Sequence, residues 1–334
     1  MSYDANILRR ATQRLEQERR ARRDETERRV QAAYAQTPRL AELDRRIQGT
    51  MAGLVAAALR RGDDPVQAVR AVREENRKLR QERAVLLGAM GLPEDALDDK
   101  PACPLCRDTG WQGANMCQCL KQLCAQEQIK ELSKLLSLGE QSFDTFRMDY
   151  YSQTPYPSRG ISPWSNMELV YDVCLNYATK FGRFAIKNLF LSGPPGLGKT
   201  FLSACIARTV SENGFSVVYD TAGNVFAQFE AQKFLRDRPD GLEARDETRR
   251  CLNCDLLILD DLGSELTTQL TQSALYELVN TRLVANKHTI ISSNLTMSDV
   301  AQRYAPQIVS RLDGEYHVLP FFGDDIRLLR KNRL

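Results

Sequence analysis

The chain has 334 residues, 43% of them hydrophobic, enough for a sizeable core and for two domains. Charged residues make up 27% but the net charge is only +3, which excludes both a disordered polyelectrolyte and a uniformly basic nucleic-acid coat. The Arg, Glu and Gln-rich start resembles no signal peptide, and no apolar run approaches the roughly 18 residues of a membrane span. Nine cysteines without a secretory signal point to a reducing, cytoplasmic setting.

Residues 1–100 hold 21 Lys and Arg against 17 Asp and Glu, a net +4, while the remaining 234 residues sum to −1. Thr37–Pro38 and Asp64–Pro65 each read as an N-cap followed by proline at the first helical position. They divide this stretch into three expected helices, about 4–36, 38–61 and 65–88. Leu40, Leu43, Ile47, Met51 and Leu54 recur at helical spacing, as do Val66, Val69 and Val72. Between Glu16 and Arg29 opposite charges fall four apart instead: Glu16–Arg20, Glu18–Arg22, Asp24–Arg28 and Glu25–Arg29. Such pairs support a helix largely in water; the run is either a solvated face or a docking arm.

A cysteine-rich segment follows. Cys103-Pro-Leu-Cys106 is a C-x2-C knuckle, Asp108-Thr-Gly110 a turn, and Cys117-Gln-Cys119 a second pair, with Cys124 five residues on. This density suits one tetrahedral zinc site. The chain has only His288 and His317, so the site would be all-thiolate and structural. Cys103, Cys106, Cys117 and Cys119 are the expected ligands; Cys124 could replace Cys119. A redox or merely structural thiol cluster is the competing reading. Cys251 and Cys254 stand alone before a core strand and read as buried filler, and Cys174 and Cys205 as core.

A connector rich in Pro, Tyr and Ser, with Pro155, Pro157 and Pro163, leads into alternating helices and short apolar strands. Strands are expected at Asn188–Leu191, Phe215–Tyr219, Leu256–Leu259, His288–Ser292 and Tyr316–Leu319, so this region is a parallel α/β domain. Gly193, Pro194, Pro195, Gly196, Leu197, Gly198, Lys199 and Thr200 fit G-x-x-x-x-G-K-[ST], with a strand before and a helix from Phe201 after. The loop's N–H groups and the helix N-terminus would cradle ATP phosphates. Lys199 would reach the β- and γ-phosphates, and the Thr200 hydroxyl would bind Mg²⁺. Leu256-Leu-Ile-Leu259-Asp260-Asp261 is a buried strand whose end meets the ligand crevice. Asp260 would hold Mg²⁺, and Asp261 would orient or deprotonate the attacking water.

The phosphate loop, the strand ending Asp-Asp-Leu-Gly (260–263) and Ser292-Ser293-Asn294 together resemble an AAA+ ATPase. More narrowly they are similar to the bacterial replicative helicase loaders of the DnaC and DnaI type and to the related IstB transposition ATPases. Ile308-Val-Ser-Arg311-Leu and Gly323-Asp-Asp-Ile-Arg327 extend the likeness, and the cysteine segment resembles the zinc-binding part of DnaI-like loaders. The resemblance implies an α/β fold: a P-loop AAA+ parallel five-stranded sheet flanked by helices. It would lack a C-terminal lid and follow an α-helical N-terminal region with a small zinc-binding module. The expected divisions are a helical adaptor (1–100), a zinc module (101–135), a linker (136–165) and the ATPase (166–334).

It further implies that Asn294 senses the γ-phosphate or the water. Arg311 would act as an arginine finger in a neighbour's site, so the ATPase would self-associate, and Arg327 as a second sensor in cis. Asp261 stands where most AAA+ proteins carry Glu, which implies slow hydrolysis. The implied partners are a replicative DNA helicase and single-stranded DNA. For the latter the relevant helices are about 222–250, with Lys233, Arg236, Arg238, Arg245, Arg249, Arg250, Phe229 and Phe234. Equal numbers of acids there make an ordinary amphipathic helix pair an equal reading. The alternatives to a loader are an IstB-like transposition helper and a non-hydrolysing, ATP-switched adaptor.

Overall fold

The computed structural model describes residues 3–59, 65–136, 141–157, 159–235 and 238–332. Asp64 and Arg236 lie outside the described residues, as do the side chains of Met51, Leu54, Val66 and Val69. The chain forms two compact units, one of residues 13–117, the other of residues from 1–12 and 118–334.

The first unit is helical. It takes most of α1 (Ala5–Gln36), then α2 (Pro38–Leu59) and α3 (Pro65–Ala89). Pro38 and Pro65 open their helices, as proline's missing N–H and fixed φ favour. Ala33, Leu40, Leu87 and Leu97 form the local core. Arg39–Glu82 at 2.8 Å, Arg46–Glu75 at 2.7 Å and Arg83–Asp44 at 2.7 Å join α2 to α3. Along the arginine-rich run Glu16–Arg20 forms as expected, at 3.9 Å. Arg22 does not take Glu18 but pairs with Asp108, a carboxylate only 5% exposed. A buried charge needs a partner more than an exposed one does, so the burial of Asp108 outweighs the helix's own spacing. The unit ends in a hairpin of β1 (Trp111–Gln112) and β2 (Asn115–Met116).

The second unit is an α/β layer structure. Its parallel five-stranded sheet contains β3 (Leu189–Ser192), β4 (Val217–Thr221), β5 (Leu256–Leu262), β6 (His288–Ser293) and β7 (His317–Pro320). The order is β4-β5-β6-β3-β7. The strands fall within three residues of the expected positions, because buried parallel strands read as continuous apolar runs. Flanking helices include α4 (Gln118–Leu136), α5 (Pro163–Thr179), α6 (Lys199–Glu212), α7 (Ala222–Phe234), α8 (Pro239–Asn253) and α9 (Gln269–Val284). The chain continues through α10 (Met297–Arg303), α11 (Pro306–Glu315) and α12 (Ile326–Asn332).

Two details of this unit matter for the site. Tyr3, Ile7 and Ala11, four residues apart, are buried, so the start of α1 presents one apolar stripe to this body. The connector before α5 is not a bare spacer. It winds into 3₁₀ turns at Phe143–Thr145 and Met148–Tyr150, with Phe143 and Tyr151 buried.

The arginine Arg282 of α9 is fully buried, with no carboxylate partner among the described residues. Its guanidinium donates to the carbonyls of Cys251 at 2.6 Å and Cys254 at 3.2 Å, which close α8, and of His288 at 2.5 Å. It satisfies carbonyls that a helix end leaves unpaired. Cys251 and Cys254 are accordingly core residues beside it, as their isolation in the sequence suggested.

Candidate nucleotide-binding site

The connection from β3 to α6 forms a phosphate loop. Gly193, Gly196 and Gly198 have φ of 148°, 80° and 91°, a region that side-chain-bearing residues rarely enter. A Cβ at Gly193 would overlap the Phe321 carbonyl, and one at Gly196 the Asp325 carboxylate. The Leu197 carbonyl accepts the Tyr151 hydroxyl at 2.9 Å, and Ile326 N–H donates to the Gly196 carbonyl at 3.0 Å. The loop is thereby tied to the connector on one side and to α12 on the other.

Lys199 is 7% exposed. Its ammonium donates to the carbonyls of Gly193 at 2.5 Å and Pro194 at 2.8 Å and to Asn294 Oδ1 at 2.9 Å. Burial lowers its pKa to about 8, against the opposing pull of Asp260 and Asp261. Thr200 donates its hydroxyl to Asp260 Oδ2 at 3.2 Å. Asn294 Nδ2 donates to Asp261 Oδ1 at 2.9 Å, so Asn294 bridges the lysine and the acid.

Strict alternation along β5 would send Asp260 and Asp261 to opposite faces. The structure avoids this with an irregularity in the β5–β6 register between Leu259 and Leu262. Asp261 sits there at φ 58°, a left-handed conformation that Asp tolerates better than most residues. Both carboxylates therefore line one cleft.

That cleft has a volume of about 1250 Å³ and is lined by Lys199, Thr200, Phe201, Asp260, Asp261 and Asn294. Arg327, Arg330 and Lys331 of α12 border it, as do Thr145, Phe146, Arg147 and Tyr150 of the connector. Phe146 stacks on Tyr151 at 5.9 Å between ring centroids and packs on Phe201 at 5.6 Å. Sequence reading treated the connector as a linker and missed this aromatic wall; its Phe and Tyr content was the available signal. Arg311, on α11, is exposed and lines a separate cavity with Lys187, Asn280 and His317. It does not line the cleft of its own chain.

Among the described residues, the sulfurs of Cys103, Cys106, Cys117 and Cys119 lie within 4.8 Å of one another. Cys103 Sγ is 3.7 Å from Cys117 Sγ. A Zn–S bond of about 2.3 Å in a tetrahedron gives S···S separations of roughly 3.8 Å, so this donor set fits zinc. Asp108 accepts the N–H groups of Cys103 at 2.8 Å and Ala102 at 3.2 Å, which fixes the knuckle. Cys124 is fully buried outside the cluster, and burial pushes its thiol up to about 11. Of the two candidates for the fourth position, it is Cys119 whose sulfur lies in the cluster.

The described residues named for DNA contact have different surroundings. Arg250 pairs with Glu131, and with Glu247 at 3.3 Å, and Phe229 packs on the core. Phe234 is 62% exposed, and Lys233, Arg245 and Arg249 remain on α7 and α8.

Residues 180–333 match the family model described as IstB-like ATP binding protein. A putative insertion sequence ATP-binding protein, y4pL of Sinorhizobium fredii, is 30% identical over 145 residues, 42% of this chain and 56% of that protein. The replicative helicase loader DnaC of Escherichia coli is 23% identical over 129 residues, 38% of this chain and 50% of its own. The chain thus spans about half the length of these curated relatives. Among solved structures, the DnaC helicase loader overlaps 55% of this chain and 97% of its own, with a TM-score of 0.43 and 18% identity. DnaI overlaps 47% and 85%, with a TM-score of 0.42 and 20% identity. No helix among the described residues is long and apolar enough to cross a membrane. The phosphate loop, leading from an inner strand of the five-stranded parallel sheet, lies within residues 180–333, the stretch that is similar to IstB-like ATP-binding proteins.

Proposed function

We propose that this chain is an ATP-hydrolysing loader of the replicative DNA helicase. The observation that carries the enzymatic part is the convergence of Lys199, Thr200, Asp260, Asp261 and Asn294 on one cleft. Lys199 would leave the loop carbonyls for the β- and γ-phosphates, and the loop N–H groups would hold the remaining oxygens. The Thr200 hydroxyl beside the Asp260 carboxylate is an all-oxygen pair that suits Mg²⁺. Bound there, Mg²⁺ would neutralise charge on the phosphates. Asp261 takes the proton of the attacking water, Asn294 positions that water or the γ-phosphate, and Arg327 contacts the phosphates in cis. Arg311 completes the site of a neighbouring copy. The aromatic wall of Phe146 and Phe201 would receive the base.

The helical N-terminal region and the cysteine module grip the helicase, and α7 and α8 approach single-stranded DNA. Hydrolysis then releases the helicase. The family match and the insertion-sequence relative favour a second reading, a transposition helper. The cysteine cluster and the long helical arm support the loader, since IstB-type proteins lack the zinc element. Slow, Mg²⁺-dependent turnover that single-stranded DNA accelerates is the expected result of a steady-state ATPase assay. No turnover with or without DNA would instead identify a non-hydrolysing adaptor.

Zinc occupancy gives an independent prediction. The purified chain should carry one zinc, with Cys119→Ser losing it and Cys124→Ser keeping it, by elemental analysis. Metal would supply much of the folding free energy of so small a module, so chelation should also expose it to protease. Zinc well below one per chain, with freely reactive thiols, would contradict the assignment.

A further inference from the structure

Both carboxylate oxygens of Asp260 are held by hydrogen-bond donors. Its Oδ1 accepts the Ser292 hydroxyl and, at 3.0 Å, the N–H of Asp261. Its Oδ2 accepts the Tyr219 hydroxyl and, at 3.2 Å, the hydroxyl of Thr200. Tyr219 reaches in from β4 and Ser292 from β6, the strands that flank β5 on either side. Tyr219 is 7% exposed and Ser292 1%. A phenylalanine would fill the same apolar volume at position 219, as the ring packs in the cluster that contains Leu256 and Ile258. What the tyrosine adds is one buried O–H, and that O–H goes to Asp260.

A carboxylate oxygen has two lone-pair directions. With Tyr219 taking one direction at Oδ2, the other is left toward Thr200 and the cleft. Ser292 and the Asp261 N–H hold Oδ1 from the opposite side, so rotation about the Cβ–Cγ bond would break donors on both oxygens. We propose that Tyr219 and Ser292 are positioning residues for the divalent cation, clamping the Asp260 carboxylate so that Oδ2 faces the Thr200 hydroxyl. This rests on the reading of Thr200 and Asp260 as the Mg²⁺-holding pair. Hydrogen-bond partners of metal-binding carboxylates typically control 10–100-fold in metal affinity.

The test is binding of a fluorescent ADP analogue to the full chain, titrated with Mg²⁺ and repeated in EDTA. Tyr219→Phe should raise the Mg²⁺ concentration at half-maximal response about 10–100-fold, with metal-free nucleotide binding unchanged. Ser292→Ala should do the same, to a similar extent. A purely structural tyrosine would lower the melting temperature and weaken binding with and without Mg²⁺ alike. An unmoved Mg²⁺ midpoint in both variants overturns the proposal. Asp260→Asn, run alongside, separates the two ideas. If it shifts the midpoint and Tyr219→Phe does not, only the positioning role fails. If Asp260→Asn also leaves it unmoved, the assignment of Asp260 itself is wrong.

Discussion

Arg311→Ala is expected to lower ATP turnover by about 10³–10⁵-fold while leaving ATP binding intact. Arg311 lies exposed on α11 and borders a different cavity from the one that holds Lys199. Its guanidinium would therefore act on the nucleotide of an adjacent copy, where it offsets charge on the transferring phosphoryl group. Three consequences separate this from a local role. Turnover of the unaltered chain should rise more steeply than linearly with protein concentration. Arg311→Ala should bind a fluorescent ATP analogue normally. Mixing it with Asp261→Asn, each inactive alone, should restore turnover, because mixed assemblies pair an intact acid with an intact arginine. Strictly linear turnover, or a mixture that stays silent, would contradict action in trans.

Asp261→Asn should lower turnover about 10²–10⁴-fold, the range that a positioned general base contributes. The substitution is well matched to its backbone. Asp261 occupies a left-handed conformation at φ 58°, and Asn tolerates that region as Asp does. The variant keeps the planar side-chain shape and a hydrogen-bond acceptor for Asn294 but loses the basic oxygen. ATP binding and thermal stability should hardly change, and single-turnover hydrolysis should fall. Full activity in this variant would remove Asp261 from the chemistry. The same backbone explains why the shorter acid stands here. Glu has no comparable tolerance of the left-handed region, so Asp261→Glu should not simply accelerate hydrolysis.

The regular parts of the molecule were legible in the sequence. Apolar strand runs, prolines at Pro38 and Pro65, and the glycine spacing of the phosphate loop each report a local backbone requirement. Non-local features were not. The register irregularity that turns Asp260 and Asp261 to one side depends on pairing with β6, which no local pattern encodes. The Arg22–Asp108 pair spans 86 residues, and Arg282 meets the Cys251 and Cys254 carbonyls 31 and 28 residues away. The choice of Cys119 over Cys124 depends on which way α4 carries each sulfur, and spacing alone left it undecided. The connector's aromatic residues were visible, but only the fold shows that Phe146 faces the phosphate loop's helix.

The central claim is best tested by mixing the full chain with the replicative helicase of its own organism and following assembly by sedimentation velocity. The account predicts one complex with a non-hydrolysable ATP analogue, and release of the helicase when ATP and single-stranded DNA replace it. Helicase and chain sedimenting separately in every nucleotide state would contradict it, and a stable complex with a transposase instead would establish the transposition reading.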